Sequence, residues 1–387
     1  MEKKYFLEAV EFLNSLSPNE NHSINLGKLI RKKFPNWPIP LIGLVNDQSE
    51  LRKKALKKFS QSQNMLFTRK GLEQSTSETL SLFTASLFKS SDTVLEICSG
   101  IGGNTIGLQK KFRQISTVEP DPLLNQIHEH NMRIYYPQNE IMRQVTELQS
   151  KHFNDYSNLF IDPDRRSSGK RSHSLEDHSP EIKFILENCK NTKEIIIKLS
   201  PMINQDQTEV GFKSIYIAEE MELKQNLWVG GKLNETSLTY AILSNGQIFD
   251  SQNLPQSQRL PSSLECIFEV NPAIIKSGES INFARKYQLD SVGEGYKHFI
   301  GEGQSLYPFA NCWQILLQED YHPKKLTSIL QSLSYERFEI KPIGVEETEV
   351  NKLISKWGKG IGKAATVFIF KQKDFKKVII GEKVTTP

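Results

Sequence analysis

A chain of 387 residues with 37% hydrophobic and 24% charged content can bury a real core, yet it is longer than one core usually organises, so two or more domains are expected. The 49 basic and 45 acidic residues leave a net charge of +4, which permits nucleic-acid binding without demanding it and requires any basic surface to be local. The opening MEKKYFLEAVEF puts acidic residues where a secretory signal needs an apolar core, and no run is long enough to span a membrane, so a soluble, cytoplasmic protein without a membrane partner is expected.

Residues 1–70 read as a polar helical region, with Phe6, Val10 and Leu13 at helical spacing and a break at Pro35, Pro38 and Pro40. Within it, LRKKALKKF at 51–59 puts Leu51, Ala55 and Phe59 on one face and five basic residues elsewhere. Those cations are either a solvated surface or a phosphate-binding face. From 66 to about 205, short apolar runs alternate with helices, the pattern of a parallel α/β sheet. TVLEIC, QISTVE, NLFID and EIIIKL read as strands, and helices are expected over 103–112, 122–132 and 180–189. SIYIAEEMEL, LTYAILSN and GQIFDSQ extend the sheet up to a Pro- and Ser-rich stretch over 255–263, the main domain boundary. The remainder mixes short helices and strands around a linker near His322 and Pro323, which predicts two small modules. Cys98, Cys189, Cys266 and Cys312 are too scattered for a metal knuckle or a disulfide framework, and His128 and His130 would face different directions on a helix. No metal site is expected.

Residues 94–105, VLEICSGIGGNT, run from a buried strand through a glycine turn into a helix. Gly100 and Gly102 let backbone approach a ligand, and the helix start favours a carboxylate or phosphate, so the turn alone fits nucleotides and S-adenosylmethionine equally. Glu96, four residues before the first glycine, favours the second: a carboxylate there suits a methionine ammonium and opposes a pyrophosphate. Thr105 stands where the dinucleotide fingerprint needs glycine or alanine. Glu119 ends the second strand, where a carboxylate binds ribose hydroxyls in methyltransferases and dehydrogenases alike. The third landmark, NLFIDPDRR, delivers Asp162 and Asp164 to the same edge of the sheet, with Pro163 stiffening the turn. Methyl transfer is an in-line displacement that depends on positioning, and Asp162 could accept a hydrogen bond or proton from a base nitrogen. The alternative is an Asp-Pro turn with Arg165 or Arg166 paired structurally.

The segment RRSSGKR that follows, with Arg165, Arg166, Lys170 and Arg171, reads either as a mobile basic loop closing over nucleic acid or as a plain surface loop. Near the C-terminus, Lys352, Lys356, Lys359 and Lys363 surround Trp357. That segment departs from a P-loop at its first glycine and after Gly362-Lys363, so a triphosphatase is rejected. The lysines suit either an RNA backbone or a solvated helix.

Together LEICSGIGGNT, VEPD and LFIDPDRR resemble a family of bacterial class I S-adenosylmethionine-dependent methyltransferases that carry a THUMP-like C-terminal domain. The lead-in LEQSTSETLSLFTASLF, in which Ser75 and Glu78 have capping-box spacing, and NPAIIKSG from Asn271 also resemble that family, so the likeness runs from about residue 60 to the end. It implies an α/β fold: a Rossmann-like class I methyltransferase sheet over 71–270, an N-terminal helical cap over 1–70, and small α+β C-terminal modules, ferredoxin-like over 271–320 and THUMP-like over 321–387. It also implies that Glu96, Gly100 and Gly102 hold the methionine part of S-adenosylmethionine and Glu119 its ribose. Asp162 would lie beside the methyl group, with Asp162, Pro163 and Asp164 as the catalytic turn, and Gln74 and Ser75 would reach the cofactor. Arg165, Arg166, Lys170, Arg171, Lys356 and Lys359 would bind substrate. Two departures stand out: IMRQVTELQ leaves only Thr146 or Glu147 for the adenine amine, and DPDRR lacks the aromatic that follows DPP in enzymes acting on exocyclic amines. The expected activity is methylation of a base in RNA, tRNA or rRNA. A small-molecule or protein acceptor, or a non-catalytic RNA-binding protein, are the rivals, and DPDRR disfavours a dehydrogenase.

Overall fold

Helical spacing in the first residues produces α1 (Lys3–Ser15), α2 (Leu26–Lys33) and α3 (Ile39–Ala55), each burying one apolar stripe. The computed structural model describes residues 3–16, 26–165, 175–254, 265–293, 295–302, 305–357, 362–372 and 375–384. The proline-rich break runs into α3, with Pro38 just before the helix and Pro40 in its first turn, and its aromatics tie the helices together: Phe34 stacks on Trp37 at 3.9 Å and meets Phe12 edge-on at 5.2 Å. Leu51, Ala55 and Phe59 are buried. Among the cations between them, Arg52 donates to the Met65 carbonyl and Lys58 Nζ donates to the carbonyls of Leu72, Glu73 and Ser75, while Lys54 pairs with Glu50. Lys58 thereby satisfies carbonyls at the end of α4 (Arg69–Gln74), which removes it and Arg52 from any phosphate-binding face.

The capping-box expectation is corrected at α5 (Glu78–Ser86). Its N-cap is Ser77, whose oxygen accepts from the Leu80 amide. The Ser75 hydroxyl is drawn back to the Leu72 carbonyl at the end of α4, and the Glu78 carboxylate accepts from the Ser60 amide and the Tyr135 hydroxyl. The preceding helix claims Ser75 before α5 can.

Beyond it come β1 (Thr93–Ile97), α6 (Gly103–Lys111), β2 (Gln114–Val118), α7 (Pro122–Tyr135), β3 (Ile141–Gln144), α8 (Lys151–Asn154), β4 (Asn158–Ile161), α9 (Ile182–Asn188), β5 (Glu194–Leu199), β6 (Phe212–Glu219) and β7 (Glu222–Gly231). The chain divides into two units, the first comprising Met1–Ile203, Gln207–Lys213 and Asn226–Thr236. Its strands run β3-β2-β1-β4-β5-β7, parallel except for β7, which is antiparallel to β5. One face of this sheet, with Leu95, Ile97, Leu159, Ile161, Ile195 and Ile197, packs on Ile182 and Ile185 of α9. Sequence reading ran β6 on through Leu223 and missed β7. The break is a turn at Glu220, whose φ is +54°. In β7 the polar Lys224, Gln225 and Asn226 interrupt the apolar run, and Asn226 is buried with its amide donating to the Ile203 carbonyl.

The second unit comprises Asn204–Asp206, Ser214–Gln225 and Ser237–Pro387. It adds β8 (Tyr240–Ser244), parallel to β6, and β9 (Gln247–Asp250), antiparallel to β8. It continues with β10 (Glu265–Val270), α10 (Pro272–Lys276), α11 (Ser280–Tyr287), β11 (His298–Glu302), β12 (Ala310–Asp320), α12 (Pro323–Ser332), β13 (Arg337–Ile343), α13 (Glu347–Trp357), β14 (Ala364–Gln372) and β15 (Phe375–Lys383). β12 pairs with β10 on one side and β15 on the other, so strands on both sides of Pro323 share one sheet. Asn271 caps α10 by accepting from the Ala273 amide and donates to the carbonyls of Glu220 and Pro308. Among the described residues, no helix is long and apolar enough to cross a membrane, and no group of three or more His, Cys, Asp or Glu could hold a metal ion.

Candidate active site

The chain leaves β1 through three residues in the left-handed region, Cys98, Gly100 and Gly102, with φ of +63°, +53° and +96°. At Gly102 the absence of a side chain matters twice, because a Cβ there would also lie 2.8 Å from Met132 Cε and 3.2 Å from His128 Cδ2 on α7. At Gly100 a Cβ would meet nothing within 4 Å, so that backbone faces open space. The turn is thus clamped on one side and open on the other.

Glu119 comes to this turn from the end of β2. It is buried, and its carboxylate accepts from the Gly100 amide at 3.0 Å and the Asp121 amide at 3.1 Å. Burial raises its carboxyl above the usual range, with the two amides acting the other way. Glu96, on β1 with no exposed surface, accepts from the Thr105 hydroxyl at 2.6 Å, and burial pushes its carboxyl up to about 8.

Asp162 follows β4 and is half-buried. Asn104 Nδ2 donates to it at 2.8 Å and Lys198 Nζ at 2.7 Å. Pro163 is buried. Asp164 accepts from Lys70 Nζ at 2.5 Å and Gln74 Nε2 at 3.0 Å, so Gln74 reaches the DPDRR turn from α4. Ser75 neighbours Gly103: a Cβ on that glycine would lie 3.2 Å from Ser75 Cβ and 2.9 Å from the Thr76 carbonyl. Arg165 pairs through its backbone with His178. Arg166, Lys170, Arg171 and Lys359 lie outside the described residues. Lys356 is exposed on α13 of the second unit, its ammonium 5.1 Å from the Trp357 ring. Thr146 is half-buried and Glu147 exposed.

Sequence reasoning passed over Asn104, Lys198 and Lys70, which hold the two aspartates. Lys198 carried a usable signal, being a cation inside the otherwise apolar strand EIIIKL.

Buried polar atoms are nearly always hydrogen-bonded. Around this turn Glu96 Oε1, Ser99 Oγ, Asn104 Oδ1 and Thr76 Oγ1 are buried without a partner. Such a set, beside the buried carboxylate of Glu119 and the open face of Gly100, fits a compact ligand rich in ammonium and hydroxyl donors.

Residues 91–201 match a family described as RNA cap guanine-N2 methyltransferase. No curated protein matches the chain. Among solved structures, a candidate methyltransferase from Porphyromonas gingivalis W83 covers 100% of both chains with a TM-score of 0.72 at 18% identity. A candidate RNA methyltransferase from Pyrococcus horikoshii covers 47% of this chain and 97% of that one, at 15% identity and a TM-score of 0.31. An S-adenosylmethionine-dependent methyltransferase from Agrobacterium tumefaciens covers 31% and 42%, at 14% and 0.23. The first establishes the fold, and scores as low as the other two carry no argument. Fold and matched segment agree on an enzyme of the class I methyltransferases, with S-adenosylmethionine as its cofactor.

Proposed function

We propose that this enzyme methylates a base in RNA, of the tRNA or rRNA kind. The observation that carries the reading is the match of residues 91–201 to a family described as acting on the RNA cap guanine, because that segment contains Glu96, the glycine turn, Glu119, Asp162 and Lys198. The cofactor supplies a methyl group made electrophilic by its sulfonium. The protein's own contribution is position. Glu96, Gly100 and Gly102 hold the methionine end, Glu119 the ribose, and Gln74 and Ser75 approach from the lead-in, with Thr146 or Glu147 left for the adenine. Asp162, steered by Asn104 and Lys198, accepts a hydrogen bond from the acceptor base. Pro163 and Asp164 complete the turn, which Lys70 and Gln74 hold in place. Residues 271–320 and 321–387 serve as ferredoxin-like and THUMP-like modules, the second binding RNA through Lys356 and Lys359. The cytoplasm is the proposed place of action.

Mass spectrometry of nucleosides from cells lacking the gene tests this reading. One methylated nucleoside should vanish and return when the purified enzyme is given that RNA. An unchanged nucleoside profile from an enzyme that binds S-adenosylmethionine would point to a small-molecule or protein acceptor.

Two further results are expected. Glu119→Ala should weaken S-adenosylmethionine binding in calorimetry by about tenfold to a hundredfold, since a hydrogen bond to a charged group contributes roughly 1.5–3 kcal/mol. Unchanged affinity removes the ribose role. Replacing Arg166, Lys170 and Arg171 together by alanine should flatten the salt dependence of RNA binding, lowering the log–log slope by about 2 at roughly 0.7 per phosphate contact on single strands. An identical slope in mutant and parent would leave those three residues without a part in RNA binding.

A further inference from the structure

Beneath the glycine turn a chain of buried groups ends on Glu96. Arg143 of β3 donates from Nε to His128 Nδ1 at 3.3 Å. With that nitrogen accepting, the imidazole proton sits on Nε2, which faces the Thr105 hydroxyl at 2.9 Å. Thr105 in turn donates to Glu96 Oε2 at 2.6 Å. His128, Thr105 and Glu96 have no exposed surface, and Glu96 Oε1 is buried without a partner. The carboxylate therefore has one oxygen committed and one free. Gly102 packs against the same His128 ring, which ties the relay to the turn that the cofactor approaches.

We propose that Arg143, His128 and Thr105 are positioning residues that commit one oxygen of Glu96 and present the other to the cationic end of the cofactor, so that cofactor capture releases one proton from Glu96 to solvent. The inference rests on the reading of Glu96 as the methionine-end carboxylate.

The charges around Glu96 set the sign. The carboxylates of Asp162 after β4 and Glu119 after β2 both disfavour its ionised form, burial disfavours it most, and the Thr105 hydroxyl alone favours it. Lys198 is engaged with Asp162. Burial, with Arg143 adding to it, lowers His128 to about 3, so the imidazole is neutral and does not titrate near pH 7. Glu96, at about 8, is mostly protonated at pH 6.5 before the cofactor arrives. A cation beside it favours the carboxylate, and the proton leaves. The cofactor's own amino group, with an ordinary value of about 7.7–8.0, is already protonated at that pH and contributes no proton. Affinity should therefore rise about tenfold per pH unit between roughly pH 6 and 7, the linkage of one proton.

Calorimetric titration of the full chain with S-adenosylmethionine at pH 6.5, in phosphate and in imidazole buffer, counts the proton. The wild type should release close to one, and Glu96→Gln none. Thr105→Val should bind about tenfold more weakly, with its pH profile displaced to higher pH, and Thr105→Ser, which keeps the hydroxyl, should restore both. Wild-type binding that releases no proton overturns the proposal even if no variant folds. So does a Thr105→Val profile that superposes on the wild type. A wild type that does not bind S-adenosylmethionine at all removes the cofactor-site reading as well, and so is distinguishable from failure of the relay alone.

Discussion

Replacing Asp162 by alanine is expected to slow methyl transfer by roughly a hundredfold to ten-thousandfold, the range typical of a positioned acid–base group, while S-adenosylmethionine affinity changes by less than about threefold. The argument is geometric. Asp162 leaves the carboxyl end of β4 with its backbone amide on the Ile97 carbonyl at 3.2 Å, and its side chain is steered by Asn104 from α6 and Lys198 from β5. Three elements thus fix one carboxylate at the carboxyl edge of the sheet, bonded to Asn104 of the helix that follows the glycine turn. The side chain retains 24% of its surface, whereas Lys198 retains 16%, so the aspartate is the more accessible partner.

A residue that meets the acceptor rather than the cofactor should lower kcat with little change in cofactor Kd. Alanine also leaves the Lys198 ammonium without its carboxylate, and an unpaired, largely buried charge destabilises the fold. Asp162→Asn, which keeps the shape and an acceptor oxygen, is the companion variant, with thermal unfolding measured for both. Transfer at near wild-type rate in Asp162→Asn and Asp162→Ala would make Asp162 a structural residue of the turn.

Gly107→Ala should be strongly destabilising. Gly107 lies on α6 where it crosses α5, and a Cβ there would sit 2.1 Å from the Ser81 carbonyl oxygen, 2.3 Å from its carbon and 2.8 Å from the Leu82 nitrogen. All three atoms are backbone, so no side chain can swing aside and the helices must separate. Overpacking of ordinary cores costs about 1–3 kcal/mol, and a clash with backbone should exceed that range. At about 2–4 °C per kcal/mol for a unit of this size, the melting temperature should fall by roughly 10 °C. Because α6 begins at Gly103 beside the turn, cofactor binding should fall with it. Gly43→Ala on α3 is the control: a Cβ there meets nothing within 4 Å, so alanine should be neutral or stabilise by about 0.5–1 kcal/mol. A Gly107→Ala protein that melts with the wild type would refute the close packing of α5 on α6.

Residue patterns alone determined most of the parallel sheet. β1, β4 and β5 are short, nearly continuous apolar runs because both their faces are covered, β2 is a short run buried over four of its five residues, and such runs are legible without a partner in view. The glycine turn, Glu119 and the DPDRR segment were legible for a related reason: each lies at the end of such a run, and the ends of parallel strands meet at one edge. Tertiary structure decided what the patterns could not. β7 escaped because its buried Asn226 is polar, and the partner of its amide nitrogen, the Ile203 carbonyl, comes from a distant part of the chain. Ser75 had the spacing of a cap, yet the Leu72 carbonyl claims it and Ser77 takes its place. Lys198 is 36 residues from Asp162, and Thr105, His128 and Arg143 stand on three separate elements. The physical reason is common to all of these. Periodicity records which face of an element leaves water, whereas the partner of a buried polar atom is chosen only when separate elements pack together.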